Sequence, residues 1–495
     1  MVAVQPVSSV LNRLKQPQLL LIDGKLQAAA SGETYEVHDP ATGKPIASVA
    51  HGASADIDLA VSAARQAFND RRWRGLTAEA RSRILLRLAD LVEAHAGELA
   101  YLDILNNGMT LFMANALATS SANRVRSAAA LGSRTYGKNA SAAISGNGAD
   151  MHAYTAKEPV GVVGLILPWN GPMASFLGKV STALAAGCTC IVKPAEATPL
   201  TALLLGELAL EAGVPPGVVN VIPGFGDAGQ ALVDHPDVDK ISFTGSTAVG
   251  KQIVRSCADN LKRVTLELGG KSANIIFDDA DMAIAIPGAA NAIFMNSGQA
   301  CLAGSRLFVQ RRVLDTVLNG LSEIAGKIVL GSGFNPETQM GPLVSQRQLD
   351  RVTGYIEQGR TDGAKLVIGG GRRDGAGYFV EPTIFLDPPA DSRIYREEIF
   401  GPVLVVNAFD TTEEVVEAAN DTRYGLAGGV FTTNVNTAHL VAGQLRTGTI
   451  WVNCYGQLHP TMPFGGYKES GWGREIDEQG LEAFLETKSV FVKLT

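Results

Sequence analysis

Cys301 stands in the stretch Asn296-Ser-Gly-Gln-Ala-Cys-Leu-Ala-Gly-Ser305, where small neighbours leave a substrate room to approach sulfur. A thiolate there is suited to attack on a carbonyl carbon. The same residue also reads as an inert packing thiol, because free cysteines are commonly buried. Glu267 lies in Val264-Thr-Leu-Glu-Leu-Gly-Gly270, at the end of an apolar run. Strand alternation places Thr265 and Glu267 opposite Val264, Leu266 and Leu268. A carboxylate in such a place is costly unless it is paired or used, so it reads as a general base or as a partnered structural acid. Asn170 follows Leu167-Pro-Trp169, just before Pro172. Its amide is able to donate to a developing oxyanion or to cap the next helix.

Two further segments suit an anionic ligand. In Ile241-Ser-Phe-Thr-Gly-Ser-Thr-Ala-Val-Gly-Lys251 a strand ends at Phe243 and a helix begins between Gly245 and Gly250, beside Ser246. A helix start offers free N–H groups to a pyrophosphate. The spacing is not G-x-G-x-x-G. It approaches the P-loop pattern, but Gln252 replaces the Ser/Thr that holds Mg²⁺. A plain strand-turn-helix fits the segment as well. Lys193-Pro-Ala-Glu196 follows another strand-like run. Glu196 is placed to accept from both ribose hydroxyls and to repel a 2′-phosphate; alternatively the pair is solvated surface. No HExxH and no Cys/His cluster is present, so no metal site is predicted.

These residues need elements to hold them. The spacing predicts a helix capped by Thr77, with Ile84, Leu85, Leu88, Leu91, Val92 and His95 on one face. From Pro159 strands and helices alternate. Val160–Leu167, Thr189–Val192, Val218–Ile222, Lys240–Phe243 and Val264–Leu268 read as strands. Pro172–Ala186 reads as a helix with Pro in its first turn and Gly187 after its end. Thr198, Pro199 and Gly213 bracket another as cap, first turn and stop. Beyond Gly269 a second series follows, with strands Asn274–Phe277, Leu307–Gln310, Val403–Phe409 and Thr449–Asn453 and helices Leu314–Lys327, Gln346–Gly359 and Glu413–Asn420. The fold class is α/β, with two open, mostly parallel sheets that bind ligands beyond their carboxyl ends. Ser489–Lys493 alternates as a terminal strand that pairs with its own sheet or with another subunit.

The 495 residues require more than one core. A net charge of −7 argues against a nucleic-acid surface. The five cysteines, Cys188, Cys190, Cys257, Cys301 and Cys454, include no CxxC and favour a reducing compartment. Cys188 and Cys190 share one strand face and read as packing. Residues 1–18 lack signal-peptide character, and no apolar run reaches membrane-spanning length, so a cytoplasmic protein with no membrane partner is expected.

Seven segments in order resemble the aldehyde dehydrogenase superfamily: Leu167-Pro-Trp-Asn170, Lys193-Pro-Ala-Glu196, Phe243-Thr-Gly-Ser-Thr247, Leu266-Glu-Leu-Gly-Gly-Lys271, Gly298-Gln-Ala-Cys301, Glu397-Glu-Ile-Phe-Gly-Pro402 and Pro463-Phe-Gly-Gly-Tyr-Lys468. The resemblance runs from about Leu21 to the terminus. It implies an NAD-binding domain of residues 1–138 and 159–268 with a Rossmann-like sheet, a catalytic domain of 269–481, and an oligomerisation arm of 139–158 and 482–495 that builds a homodimer or homotetramer. It implies oxidation of an aldehyde to the acid, with Cys301 as nucleophile, Asn170 and the Cys301 N–H as oxyanion donors, Glu267 as base, and Lys179 and Glu475 passing protons. NAD is the implied cofactor, with NADP as an alternative. Lys193 and Glu196 would hold the adenosine ribose, Ser246 the pyrophosphate, and Glu398 and Phe400 the nicotinamide riboside. Ile166, Leu167, Pro168, Trp169, Gly226, Gly245, Gly250, Leu268 and Gly269 complete the implied contacts.

Glu267 favours a free acid over acyl transfer to coenzyme A. Departures from the family pattern at Asn107-Gly-Met-Thr110, Gly171, Ser297, Ala300 and Leu302 concern the substrate rather than the reaction. The pattern resembles dehydrogenases of aromatic or arylacetic aldehydes such as phenylacetaldehyde, with aliphatic aldehydes or semialdehydes as the alternative. A P-loop-type nucleotide hydrolase and a catalytically silent binding protein are the competing functions.

Overall fold

The computed structural model describes residues 8–143 and 150–494. Its largest sheet has eight strands in the order 471–472, 263–267, 240–244, 162–166, 189–193, 219–221, 20–22 and 25–27. Val162–Ile166, Thr189–Lys193 and Lys240–Thr244 pair in parallel and are almost wholly buried, which is why they read as continuous apolar runs. From Val162–Ile166 the chain first adds strands on one side, then returns to add Lys240–Thr244 on the other. Such a reversal opens a crevice at the strand carboxyl ends. Leu167-Pro-Trp-Asn170 and Gly245-Ser246 both leave the sheet there.

The predicted helices form with the signals expected. Pro172–Ala186 carries Pro in its first turn and ends at Gly187 with φ +96°. Thr77 caps Ala78–Ala94 by accepting from the Ala80 N–H. Leu85, Leu88 and Val92 of that helix are fully buried. Leu88→Ala is expected to destabilise the protein by about 2–5 kcal/mol, read as a fall in Tm. His95 is not on the packed face. It ends the helix, and its ring meets Glu98 at 3.0 Å. Thr198 is not a cap either: the next helix starts at Leu200 after Pro199, and the Thr198 hydroxyl donates to the Trp169 carbonyl at 3.4 Å.

Sequence periodicity does not reveal Ala96–Asn107 or Leu111–Leu131. The second of these buries Ala114, Ala118, Ser121, Ala122 and Ala128, small residues that give little apolar contrast. The short strands Leu20–Ile22 and Lys25–Gln27, which extend the large sheet, are likewise unheralded.

The chain crosses from the first sheet to the second between Glu267 and Ala273. The second sheet runs 365–368, 383–386, 403–409, 306–310, 273–276, 427–431 and 449–452, parallel except at the 365–368 edge. A third sheet pairs Leu485–Lys493 with Asp150–Pro159 in antiparallel register, Ser489 opposite Thr155. The terminal strand thus pairs within its own chain. Among the described residues no helix is long and apolar enough to cross a membrane.

Candidate active site

Glu267 is the last residue of Arg263–Glu267, at the edge of the crevice. Alternation along that strand predicts its placement, and the side chain is only 4 % exposed. A Cβ on Gly465 would lie 2.8 Å from Glu267 Oε1, so the carboxylate packs against glycine backbone. Its Oε2 is buried with no hydrogen-bond partner among the described residues. Burial, then the negative charge of Glu475, pushes the Glu267 carboxyl well above the usual carboxylate range; Lys179 and Arg474 oppose this. A buried carboxylate oxygen without a partner among the described residues costs desolvation, which suits a base better than a paired structural acid.

Cys301 lies five residues before the strand Arg306–Gln310, in a turn where Asn296 and Ser297 take left-handed φ of +51° and +56°. Gly298, at φ +69°, is required there, because a Cβ would fall 2.1 Å from the Gly401 carbonyl. The cysteine loop therefore leans directly on the Glu397–Pro402 segment. Burial, then Glu267 and Glu398, hold the Cys301 thiol high, while the Leu302 and Cys301 N–H groups draw it down. Both carboxylates thus act on the sulfur. Cys188 and Cys190 are buried and inert; burial pushes the Cys188 thiol up to about 11.

Asn170 joins the cysteine loop from the other sheet. Its amide nitrogen donates to the Gln299 carbonyl at 2.8 Å, and its own carbonyl accepts from Asn296 Nδ2 at 3.1 Å. It is not a helix cap, since the helix begins after Gly171. Only one of the two amide protons is needed for Gln299. Cys301, Glu267 and Asn170 are therefore brought to one crevice from three separate elements.

Lys179 and Glu475 also meet. The Lys179 ammonium donates to Ser242 Oγ at 2.9 Å and to the Glu475 carboxylate. Glu475 reaches it because Phe464 and Glu475 exchange backbone hydrogen bonds of 2.9 and 2.7 Å, which turns the chain back over the first sheet.

Most of the candidate cofactor residues follow the carboxyl ends of the first sheet's strands, at Ile166, Lys193, Val221, Thr244 and Glu267. Ile166 ends its strand, and the Leu167 N–H donates to the Lys193 carbonyl at 3.0 Å. Pro168 leads to Trp169, whose ring meets Phe400 edge-on at 5.1 Å. Phe400 takes φ +63°. Glu398 accepts from the Gly270 N–H at 2.9 Å, with the Gly269 Cα side close by, and burial pushes its carboxyl up to about 7. Lys193 is 5 % exposed, and among the described residues its ammonium donates to no side chain, only to the Pro194 carbonyl at 3.1 Å. Glu196 is half-exposed beside it. Gly226 opens a helix and faces open space. Ser246 caps Thr247–Ala258, while Thr244 Oγ1, just before it, is buried without a partner. Gly250 lies inside that helix, where a Cβ would strike Leu268 at 2.6 Å.

This geometry overturns the P-loop alternative. Gly250 and Lys251 are helical rather than part of a phosphate-wrapping loop, and Lys251 is paired with Glu469 at 2.7 Å. Among the described residues no three His, Cys, Asp or Glu side chains converge as a metal would need.

The model of the "Aldehyde dehydrogenase family" matches residues 27–490. The chain belongs to the aldehyde dehydrogenase family. It is 48% identical to an aldehyde dehydrogenase of Enchytraeus buchholzi, over 96% of this chain and 95% of the relative. It is 44% identical to mouse (Mus musculus) aldehyde dehydrogenase 1A1, over 96% and 95%. The NAD+ complex of an aldehyde dehydrogenase from Bacillus cereus superimposes with a TM-score of 0.97 at 46% identity, covering 100% of both chains.

Within this aldehyde dehydrogenase, two contributors lie outside the site residues the sequence predicts. Gln299 ties three segments together, through its carbonyl to Asn170 and through Oε1 to the Val344 N–H at 2.9 Å. Tyr35 brings a buried, unpartnered hydroxyl into the field of Glu196 from a strand far upstream. Gln299 stands within the Gly298-Gln-Ala-Cys301 segment, two residues before the sulfur; nothing in the local sequence marks Tyr35.

Proposed function

We propose that this aldehyde dehydrogenase converts an aldehyde to a free carboxylic acid, with Cys301 as nucleophile, Asn170 and the Cys301 N–H as oxyanion donors, and Glu267 as the base that activates water. The observation that carries the reading is the Asn170–Gln299 hydrogen bond, which holds an amide donor two residues from the sulfur in a loop that also feels Glu267.

Cys301 gives its proton up to solvent and, as the thiolate, attacks the aldehyde carbon, whose carbonyl oxygen becomes an alkoxide. The free amide proton of Asn170 and a backbone N–H stabilise that charge, each worth about 3–4 kcal/mol in comparable sites. Loss of hydride leaves a thioester on Cys301. Glu267, with one unpartnered oxygen, takes a proton from water, which then releases the acid. Lys179 and Glu475 carry that proton onward from Glu267. The crevice fits a nicotinamide dinucleotide: an ammonium without a side-chain partner, an adjacent acid, a capped helix start beside an orphaned hydroxyl, and a carboxylate held at Gly270. When bound there, NAD supplies the hydride acceptor and a cationic ring that opposes the two carboxylates near the sulfur. Lys193 and Glu196 hold its adenosine ribose, Ser246 and Gly245 its pyrophosphate, and Glu398 and Phe400 its nicotinamide riboside, with Trp169 against Phe400. The Bacillus cereus relative was solved with NAD+, which supports this assignment.

The substrate proposed is an aromatic or arylacetic aldehyde. Gly171 beside Asn170 supports this, since a Cβ there would meet only Ser175 Oγ at 3.9 Å, leaving space for a ring. Residues 1–138 and 159–268 act as the cofactor domain and 269–481 as the catalytic domain. Leu485–Lys493, at the edge of its sheet, builds a homodimer or homotetramer with the 139–158 arm.

The test is NADH formation from phenylacetaldehyde, benzaldehyde, aliphatic aldehydes and acid-bearing semialdehydes, with NAD and NADP in parallel. Higher kcat/KM for the aromatic group is expected; preference for a semialdehyde refutes the substrate assignment, and silence across the panel refutes the reaction. In the same assay Glu196→Ser is expected to raise kcat/KM for NADP relative to NAD about tenfold, the equivalent of ~1.4 kcal/mol of removed repulsion.

A further inference from the structure

The end of the helix Ala96–Asn107 touches both arms of the proposed site. On one side the Asn107 amide, 1 % exposed, donates to the Trp169 carbonyl at 2.7 Å. That carbonyl belongs to the peptide that leads into Asn170, and its other donor, Thr198, is at 3.4 Å. On the other side Gly108, at φ +88°, closes the helix and presses on the segment at 341–342. A Cβ on Gly341 would lie 2.0 Å from the Gly108 carbonyl, and a Cβ on Gly108 would lie 2.7 Å from Pro342. The Gly341 carbonyl accepts from Ser297 Oγ at 2.8 Å, inside the cysteine loop. Asn170 and Gln299 join the two arms directly. The contacts close a ring that runs from Asn107 through Trp169 and Asn170 to the cysteine loop, then through Ser297 and Gly341 back to Gly108.

The same helix is anchored one turn earlier. Asp103 accepts from Thr201 Oγ1 at 2.6 Å, and Asn106 donates to the Ala197 carbonyl at 2.8 Å. Three buried polar side chains thus fix the helix end against the loops beyond the first sheet. Ordinary core packing would not place amides there, because each costs desolvation unless it holds a partner.

We propose that Asn107 is a positioning residue: it holds the Trp169–Asn170 peptide plane and thereby sets the separation between the Asn170 amide and the Cys301 sulfur. The inference rests on reading Asn170 as the oxyanion donor and Cys301 as the nucleophile. In this role Asn107 acts through the Trp169 carbonyl that it holds. Without its N–H, the Trp169 carbonyl keeps only the long Thr198 contact and the peptide is free to tilt. A displacement of about 1 Å in such a constellation costs on the order of 100-fold in rate.

The test is the pre-steady-state burst of NADH from the full-length enzyme with saturating aldehyde. Asn107→Leu is expected to slow the burst about 10- to 100-fold with the dissociation constant for NAD little changed. Asn107→Asp keeps the shape and carries the test should the leucine variant not fold. Ionised, it repels the Trp169 carbonyl; protonated, its O–H donates to it. Position 107 is 1 % exposed, and burial disfavours the charged form, so a carboxyl there takes up its proton at a higher pH than an exposed one. The Asp variant is therefore expected to regain burst rate as pH falls from 8 to about 6, opposite to the native enzyme. A merely structural role would not reverse the profile. An unchanged burst in the Leu variant, or a native-like pH profile in the Asp variant, overturns the inference alone, provided Asn170→Ala has lost the burst. If Asn170→Ala keeps a native burst, the underlying reading of the site falls, and the positioning role with it.

Discussion

Cys301→Ala is expected to form no NADH from any aldehyde, with a loss on the order of 10⁶-fold, the scale seen when a covalent nucleophile is removed from a serine protease. No other thiol is placed to substitute. Cys188, Cys190 and Cys257 are buried, and Cys454 is exposed outside the Asn296–Ser305 loop that Asn170 joins. NAD affinity in this variant is expected to stay within about threefold, because the residues proposed to hold the dinucleotide gain no free charge. The check combines steady-state absorbance at 340 nm with a fluorescence titration of NAD, and with mass spectrometry of the native enzyme quenched during turnover. Mass spectrometry is expected to find an acyl adduct on Cys301. Residual turnover above the uncatalysed rate in the variant would remove the sulfur from the mechanism. The native thiol should also react slowly with alkylating agents when no cofactor is present, since burial and the two carboxylates hold it protonated.

The second large effect is expected from Glu267→Gln. Acyl transfer to Cys301 needs no base at position 267, so the variant should give one equivalent of NADH per site in a burst. Turnover should then stall, with the steady-state rate down about 10²- to 10⁴-fold, the usual contribution of a positioned base. The pH dependence separates this from a structural defect. Glu267 must be ionised to take a proton, and its carboxyl is held well above the usual range. Steady-state turnover of the native enzyme is therefore expected to rise with pH as Glu267 ionises. The glutamine variant should lose that ascending limb while keeping its burst. A burst followed by native turnover would exclude Glu267 as the base. A variant with neither burst nor turnover would place the residue in acylation instead.

The local chemistry of this site is largely written in short segments. The alternation Val264-Thr-Leu-Glu-Leu places Glu267 at a strand end, and Arg263–Glu267 is where the strand forms. Pro172 and Gly187 bracket a helix whose bounds the structure reproduces at Pro172–Ala186. Such signals are legible because they arise from φ preferences, from period-two side-chain alternation and from hydrogen bonding within a few residues. The two parallel sheets follow from the repeated strand–helix order for the same reason. Errors occur where a residue has a local and a distant option. Thr198 has the chemistry of a cap, yet it spends its hydroxyl on Trp169.

What the chain order left open was how those segments meet. Asn170 and Gln299 lie 129 positions apart, and Lys179 and Glu475 lie 296 apart, yet each pair is joined by a hydrogen bond. Gly298 admits the 401 carbonyl at a distance no side chain tolerates, and Asn107 finds Trp169 only because the helix Ala96–Asn107, buried through Leu99, Leu102 and Ile104, packs against the neighbouring helices. No periodicity encodes such contacts, since they depend on which buried faces stack and on the few tenths of an ångström that close packing allows. Residue types and spacing thus supplied a thiol, an amide and a carboxylate with suitable chemistry; packing of two sheets across one crevice made them neighbours.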